Sequence, residues 1–217
     1  MPGRELTYKK YNLNIYNPDL TDGFYEMPII RKCNITPSRL IGFNEVLSAK
    51  DVDCGVHMFI DDYQFERLWN QPDRYVNKLS QFQCVFSPDF SLYMDMPLAM
   101  KVWNVYRSRL IGQYMQSNGV NVIPTISWAE PSTYSFCFDG IEKGSIVAIS
   151  TIGCINDDLA NSILRDGIIN MIDAINPTKI LGYGKKIQIE TYGTPIVWFT
   201  NERIERVRKY GRKRSVI

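Results

Sequence analysis

The stretch SIVAISTIGCINDDLANSILRDGIINMIDAINPTKILGY, residues 145–183, decides the fold. Its two ends, 145–150 and 179–183, are short continuous apolar runs rich in branched residues, the pattern of strands covered on both faces. Between them Asp157 and Asp158 give a helix its acidic start. Leu159, Ile163, Leu164, Ile168, Met171 and Ile172 then line one helical face, and Asn176-Pro177 stops it. Strand, helix and strand in that order make a βαβ unit with parallel strands.

Working outward, the same grammar repeats. Candidate strands lie at 39–43, 56–60, 84–86 and 121–126, with further ones at 187–191 and 196–199. Most start roughly 25 to 36 residues apart, the length of a strand plus a crossover helix and two loops. Pro97 opens a long helix to about residue 115, with Leu98, Val102, Val105, Tyr106, Leu110 and Tyr114 three or four apart and Asn118-Gly119 as the stop. On that helix Trp103 or Tyr106 is expected to be buried. A shorter helix covers 72–81, and the segment after Pro131 holds one or two turns. The expected architecture is α/β, a single domain of consecutive βα units, an irregular or incomplete TIM-barrel-like fold. The irregularity comes from the gap between Phe43 and Val56, too short for an ordinary crossover helix. An open doubly wound sheet is the competing layout, but neither G-x-G-x-x-G nor G-x-x-x-x-G-K-[ST] occurs. Residues 1–38 read as an irregular lead-in, 39–200 as the βα-repeat domain, and 201–217 as a basic C-terminal helix or tail.

Composition narrows the function classes. No apolar run approaches the ~20 residues that span a bilayer, and MPGRELTYKK has no apolar signal core, so no membrane partner and a cytoplasmic location are expected. The 5 cysteines are odd in number and lack any C-x-x-C, and His57 is the only histidine. Neither a disulfide framework nor a zinc site is encoded, and no metal or cofactor is expected. Of the 25 basic residues seven fall between Arg203 and Arg214, and of the 23 acidic residues Glu202 and Glu205 lie beyond residue 201, leaving 18 basic against 21 acidic over 1–201. A mildly acidic body thus carries a basic tail. Arg206, Arg208, Arg212 and Arg214 are its candidate phosphate contacts for a nucleotide or nucleic-acid partner, against the plainer reading of a solvated last helix.

In barrels and doubly wound sheets alike, ligands bind at the carboxyl ends of the strands. Those ends carry Asp61-Asp62, Ser87 and Asp89, Thr125, Ser127 and Trp128, Ser150 and Gly153, and Tyr183. Asp61, Asp62 and Asp89 are the candidate catalytic carboxylates, since neighbouring acids drive each other's pKa values apart. Their alternative role is helix capping, with one of the Asp61-Asp62 pair facing the rim and the other capping. Ser87, Thr125, Ser127, Trp128, Ser150, Gly153 and Tyr183 are candidate ligand contacts, Trp128 as a plate for a planar ring. Cys154 stands where a thiolate could be stabilised, but without a visible base a small buried thiol is the plainer reading. His57 reads as a core histidine near the end opposite the rim.

The runs FIDDYQFERLWNQPDRY, SPDFSLYMDMPLAMKVWNVYR, QSNGVNVIPTISW and FCFDGIEKGSIVAISTIGC, within 59–154, resemble an uncharacterised family of bacterial and phage proteins, a domain of unknown function. The resemblance implies an intracellular protein of phage or mobile-element type. More loosely, the order strand-Asp-x-x-x-Phe, strand-x-Pro-Asp, Val-Ile-Pro and strand-x-x-Gly is similar to the rim of tRNA-guanine transglycosylase-type barrels. That likeness implies that Asp61 and Asp89 hold the Watson-Crick edge of a purine while Ile152-Gly153 lets the backbone approach it. The zinc site of that family has no counterpart here, and no aspartate follows Asp173 to act as its late nucleophile. Two functions follow: a protein acting on a nucleobase, nucleotide or nucleic acid at the rim, or a non-catalytic binder that sequesters a nucleotide or inhibits a host factor. Hydrolysis of sugars by two rim carboxylates is a third, more distant reading.

Overall fold

The computed structural model describes residues 2–200. The chain opens with α1 (Pro2–Lys10) and the antiparallel pair β1 (Thr21–Asp22) and β2 (Met27–Pro28). There follow β3 (Leu40–Gly42), a 3₁₀ turn at Phe43–Glu45, β4 (Gly55–His57), α2 (Asp62–Asn70), α3 (Pro72–Leu79), β5 (Cys84–Phe86), α4 (Leu98–Ser117) and β6 (Val122–Ile123). A 3₁₀ turn at Pro131–Thr133 leads into α5 (Tyr134–Cys137), then β7 (Ile146–Ser150), α6 (Asp158–Ile175), β8 (Lys179–Tyr183) and β9 (Ile196–Phe199).

The protein is thus a mixed α/β domain built on parallel ladders. β3, β4, β5 and β6 form one four-stranded parallel sheet in chain order, and β7, β8 and β9 form a three-stranded one. A single parallel bridge, Thr125 to Ala148, joins the two, with Ala148 N–H donating to Pro124 O and Ile126 N–H to Ala148 O. Pro124 has no amide hydrogen and ends β6 early, so the expected strand 121–126 shrinks to two residues before the chain pairs again at Thr125. β4 stops at His57 because the next in-line donor, Phe59 N–H, turns onto the His57 ring instead of a neighbouring strand.

Alternate side chains of the ladders meet in one apolar cluster: Leu40, Cys84, Phe86, Ile123, Ile146, Ala148, Leu181, Tyr183, Val197 and Phe199, with Phe59 just past β4. The opposite faces pack under the helices. Phe65, Leu68 and Trp69 of α2, Tyr75, Val76 and Leu79 of α3, and Leu110, Ile111 and Met115 of α4 cover the first sheet. Leu164, Ile168, Met171, Ile172 and Ile175 of α6 cover the second. Each such side chain contributes about 1.5–3 kcal/mol when fully buried. Asp157 caps α6 by accepting from Ala160 N–H at 2.7 Å, and Asn176, left-handed at φ 49°, ends it ahead of Pro177.

Several expectations are corrected. The lead-in 1–38 contains α1 and the β1–β2 pair. Residues 187–191 form no strand: Ile187 and Ile189 turn toward the α6 cluster, while Gln188 O accepts from Arg165 of α6. On α4 neither Trp103 nor Tyr106 is fully buried, and Trp103 is 38% exposed. The fully covered positions of α4 include Lys101, Asn104, Ser108, Arg109 and Gly112, because this face looks onto loop carbonyls rather than onto a sheet. At Gly112 a Cβ would come within 2.3 Å of Ile30 Cδ1, so a larger residue there would force the Ile30 side chain to move.

Candidate functional site

The loop after β5 is where polar groups from several elements converge. Ser87 and Thr125, expected to meet a ligand, are instead buried and spent on each other. Thr125 N–H donates to Ser87 Oγ at 2.9 Å, and Thr125 Oγ1 to Ser87 O at 2.7 Å. Ser108 of α4 lies 3.3 Å from Ser87 Oγ. Beneath them Arg109, 1% exposed, donates to the carbonyls of Thr125, Cys137 and Asp139 at 3.0, 2.7 and 3.0 Å. Burial lowers its pKa to about 10, so it keeps its charge at neutral pH. A cavity of about 10 Å³ among Asn104, Ser108, Arg109, Thr125 and Ser127 has room for roughly one water. The cluster is a rigid floor.

Above this floor stand the two carboxylates. Asp62, the first residue of α2, accepts from Ser91 N–H at 3.1 Å and from Ser91 Oγ–H at 2.8 Å, which ties the 87–91 loop to α2. Asn104 of α4 holds the same loop by donating to Ser91 O at 2.7 Å. Asp89 takes a hydrogen bond on Oδ1 from the Ser127 hydroxyl, while its Oδ2 accepts none among the described residues. Burial raises the Asp89 pKa to about 6; the Ser127 bond opposes the rise and the charge of Asp62 adds to it. Part of the Asp89 surface still reaches water, so the carboxyl is desolvated without being sealed. Asp61 is exposed, occupies the N-cap position of α2 without a backbone cap bond, and accepts from Gln64 Nε2 at 3.2 Å. Asp62, not Asp61, is therefore the partner of Asp89.

The remaining rim residues divide. Ser150 Oγ accepts from Ile152 N–H at 3.1 Å, and Gly153 is exposed with φ 81°. Cys154 is half-buried close enough to Asp89 for that charge to add to burial in raising its thiol pKa, which keeps it protonated. Trp128 is corrected from ligand plate to helix anchor. Its Nε1–H donates to Ile163 O at 3.1 Å, and its indole fills the notch at Gly167, where a Cβ would lie 1.9 Å from Nε1. Tyr183 is 3% exposed, with its ring against His57 at 4.2 Å and Phe59 at 5.2 Å. His57 itself is the last residue of β4, at the carboxyl end rather than the opposite one. Sequence reading missed this stack because a single histidine inside an apolar run carries no sign of which strand end it occupies. Asn104 and Arg109 were missed too, since polar residues on a helix face read as solvent-facing. Among the described residues no group of three or more His, Cys, Asp or Glu side chains is arranged to hold a metal ion. No helix among them is long and apolar enough to cross a membrane. Arg206, Arg208, Arg212 and Arg214, with the expected helix or tail at 201–217, lie outside the described residues.

Fold and site together define a parallel-stranded α/β protein with two neighbouring carboxylates, Asp62 and Asp89, beyond its strand ends. The chain belongs to the family described as a domain of unknown function (DUF4417), whose model matches residues 20–199. It is 42% identical over 165 residues to the Gene 1 protein of Mycobacterium phage L5, covering 74% of this chain and 72% of that protein. Against the Gene 1 protein of Mycobacterium phage D29 it is 41% identical over 164 residues, covering 74% of this chain and 61% of that one. No solved structure matches.

Proposed function

We propose that the seven parallel strands act as an incomplete, TIM-barrel-like barrel whose strand-end mouth binds the base of a nucleotide or nucleic acid through Asp89, in a protein that serves phage infection. The barrel reading is supported by the strands following one another in chain order through both sheets and by side chains from both meeting in one cluster. The phage origin of the two relatives supports the setting. The observation that carries the ligand is the state of Asp89: one oxygen is fixed by Ser127, the other is without a partner, and Asp62 is immobilised beside it. An ionised carboxylate held this way accepts N–H donors, and a base with an amide-type ring N–H beside an exocyclic amine, as in guanine, supplies them.

Because the acceptor must be ionised, binding follows the Asp89 pKa of about 6. Affinity is level above that pH and falls about tenfold per unit below it. Calorimetric titration with nucleoside monophosphates and short single strands, on wild type and Asp89→Asn, tests the reading. The asparagine variant is expected to lose a guanine-type ligand by about tenfold or more, since its amide meets the ligand's donors with a donor. Equal binding by the two proteins would remove Asp89 from the site.

A second reading, binding without turnover, is favoured by the chemistry around the carboxylates. The Cys154 thiol is held protonated, and the ring nitrogen Nδ1 of His57 is already occupied by a backbone N–H, so neither serves as nucleophile or base. Incubation with the bound nucleotide and recovery of it unaltered by mass spectrometry separates this reading from catalysis.

A further inference from the structure

The aromatic stack inside the strand ends holds a polar feature that packing alone does not explain. His57 is 5% exposed and Tyr183 3% exposed, and their rings lie 4.2 Å apart with Phe59 beside both. They close β4 and β8, whose carboxyl ends share the rim with Asp89. The Phe59 N–H donates to His57 Nδ1 at 3.2 Å. A backbone amide has only a proton to give, so Nδ1 must carry a lone pair, and the imidazole proton sits on Nε2. That Nε2–H makes no hydrogen bond among the described residues, and neither does the Tyr183 hydroxyl. Nor does either belong to the fully enclosed unpaired polar atoms, which are Gln83 Oε1, Arg107 Nε and Tyr134 Oη. Both therefore remain reachable at the surface of the stack.

Phenylalanine at both positions would fill this space without two polar atoms that find no partner within the protein. We propose that His57 Nε2–H and the Tyr183 hydroxyl are a pair of donors for an acceptor oxygen, a ring carbonyl or an oxyanion, of a ligand seated inside the strand-end mouth. This deepens the preceding reading and rests on it for the mouth, but it assigns a different wall and the opposite polarity: Asp89 accepts, and His57 with Tyr183 donates. Two further facts keep both groups as donors. Burial lowers the His57 pKa to about 4, so it stays neutral, and burial with the charge of Glu45 raises Tyr183 to about 12, so it stays protonated. A neutral imidazole is the better-matched partner for a carbonyl, since it polarises the oxygen without a full charge to desolvate.

His57 is the only histidine in the chain, so protein labelled with nitrogen-15 in histidine alone gives a single imidazole to watch. The expected spectrum at pH 7 shows a neutral ring protonated on Nε2. Uracil, which offers carbonyls, and inorganic phosphate, which offers an oxyanion, are the probes, and at least one should move the Nε2–H signal. Tyr183→Phe, which keeps the ring and its packing, should weaken that response by about fivefold or more. His57→Gln, which retains an N–H near the Nε2 position, should restore more binding than His57→Phe. A proton on Nδ1, or a signal that neither probe moves, overturns the proposal. A response that persists in Asp89→Asn supports this donor pair and counts against Asp89 as part of the same site. Nucleotide binding that needs Asp89 while the His57 signal stays still overturns the donor pair and leaves the carboxylate reading in place.

Discussion

Asp89→Asn should stabilise the protein at pH 8 and leave it almost unchanged at pH 4. The native carboxyl has its pKa raised from 3.8 to about 6 by burial, with Ser127 pulling against the rise. Between those values the native state holds a proton that the unfolded chain has released, so wild-type stability falls as pH rises through the window. Above about pH 7 both states are ionised and the full penalty stands. A displacement of that size corresponds to about 3 kcal/mol, trimmed to about 2–3 kcal/mol by the water that still reaches part of the residue. Asparagine is isosteric, keeps Oδ1 as the acceptor for the Ser127 hydroxyl and carries no charge to desolvate. With a urea slope near 2 kcal/mol/M, the variant's midpoint should exceed that of wild type by about 1 M at pH 8 and converge with it at pH 4. Urea melts followed by tryptophan fluorescence across that range measure the difference directly. A gap that does not grow with pH, or a variant less stable than wild type at pH 8, refutes the reasoning, because it would mean that the ionised carboxylate is stabilised where it sits.

Three other outcomes are expected. Arg109→Met leaves the carbonyls of Thr125, Cys137 and Asp139 without their donors and should cost more than about 3 kcal/mol in urea unfolding, or abolish soluble expression. Gly167→Ala drives a methyl group into the Trp128 indole and should cost about 2–4 kcal/mol, most of it recovered when Trp128→Ala is made in the same chain, as thermal melts of the double mutant would report. Cutting the chain after Tyr210 removes Arg212, Lys213 and Arg214 and should lower DNA or RNA binding several-fold at low salt while the melting temperature holds; gel-shift titrations across a salt series check both the loss and the flatter slope.

Much of the ladder was legible because its strands are continuous branched runs. The segments 84–86, 179–183 and 196–199 keep their expected bounds, and the helices α3, α4 and α6 keep their start and stop residues to within a turn. What stayed hidden was set by tertiary partners. α1, PGRELTYKK, has no apolar stripe to announce it. α4 buries Lys101 and Arg109 alongside Leu110, Ile111 and Met115, since the two cations serve carbonyls and Glu130 from loops elsewhere in the chain. At the site, Asp89 and Ser127, both read as strand-end residues, are hydrogen-bonded to each other, yet the same reading gave equal weight to Ser87, Thr125 and Trp128, which close hydrogen bonds within the protein. Strand-end position tells where a side chain begins; whether it is free for a ligand depends on what packs beside it.

The bridge at Thr125 and Ala148 has a mechanical meaning. On either side of it the strands are laced by full ladders, whereas here one residue pair spans the join. A structure sewn this way is stiff within each half, and compliance gathers at the seam. Asp62 and Asp89 stand on one side of that seam, with Ser150, Cys154 and Tyr183 on the other. A shift of one sheet against the other would therefore change the spacing between these two sets of side chains.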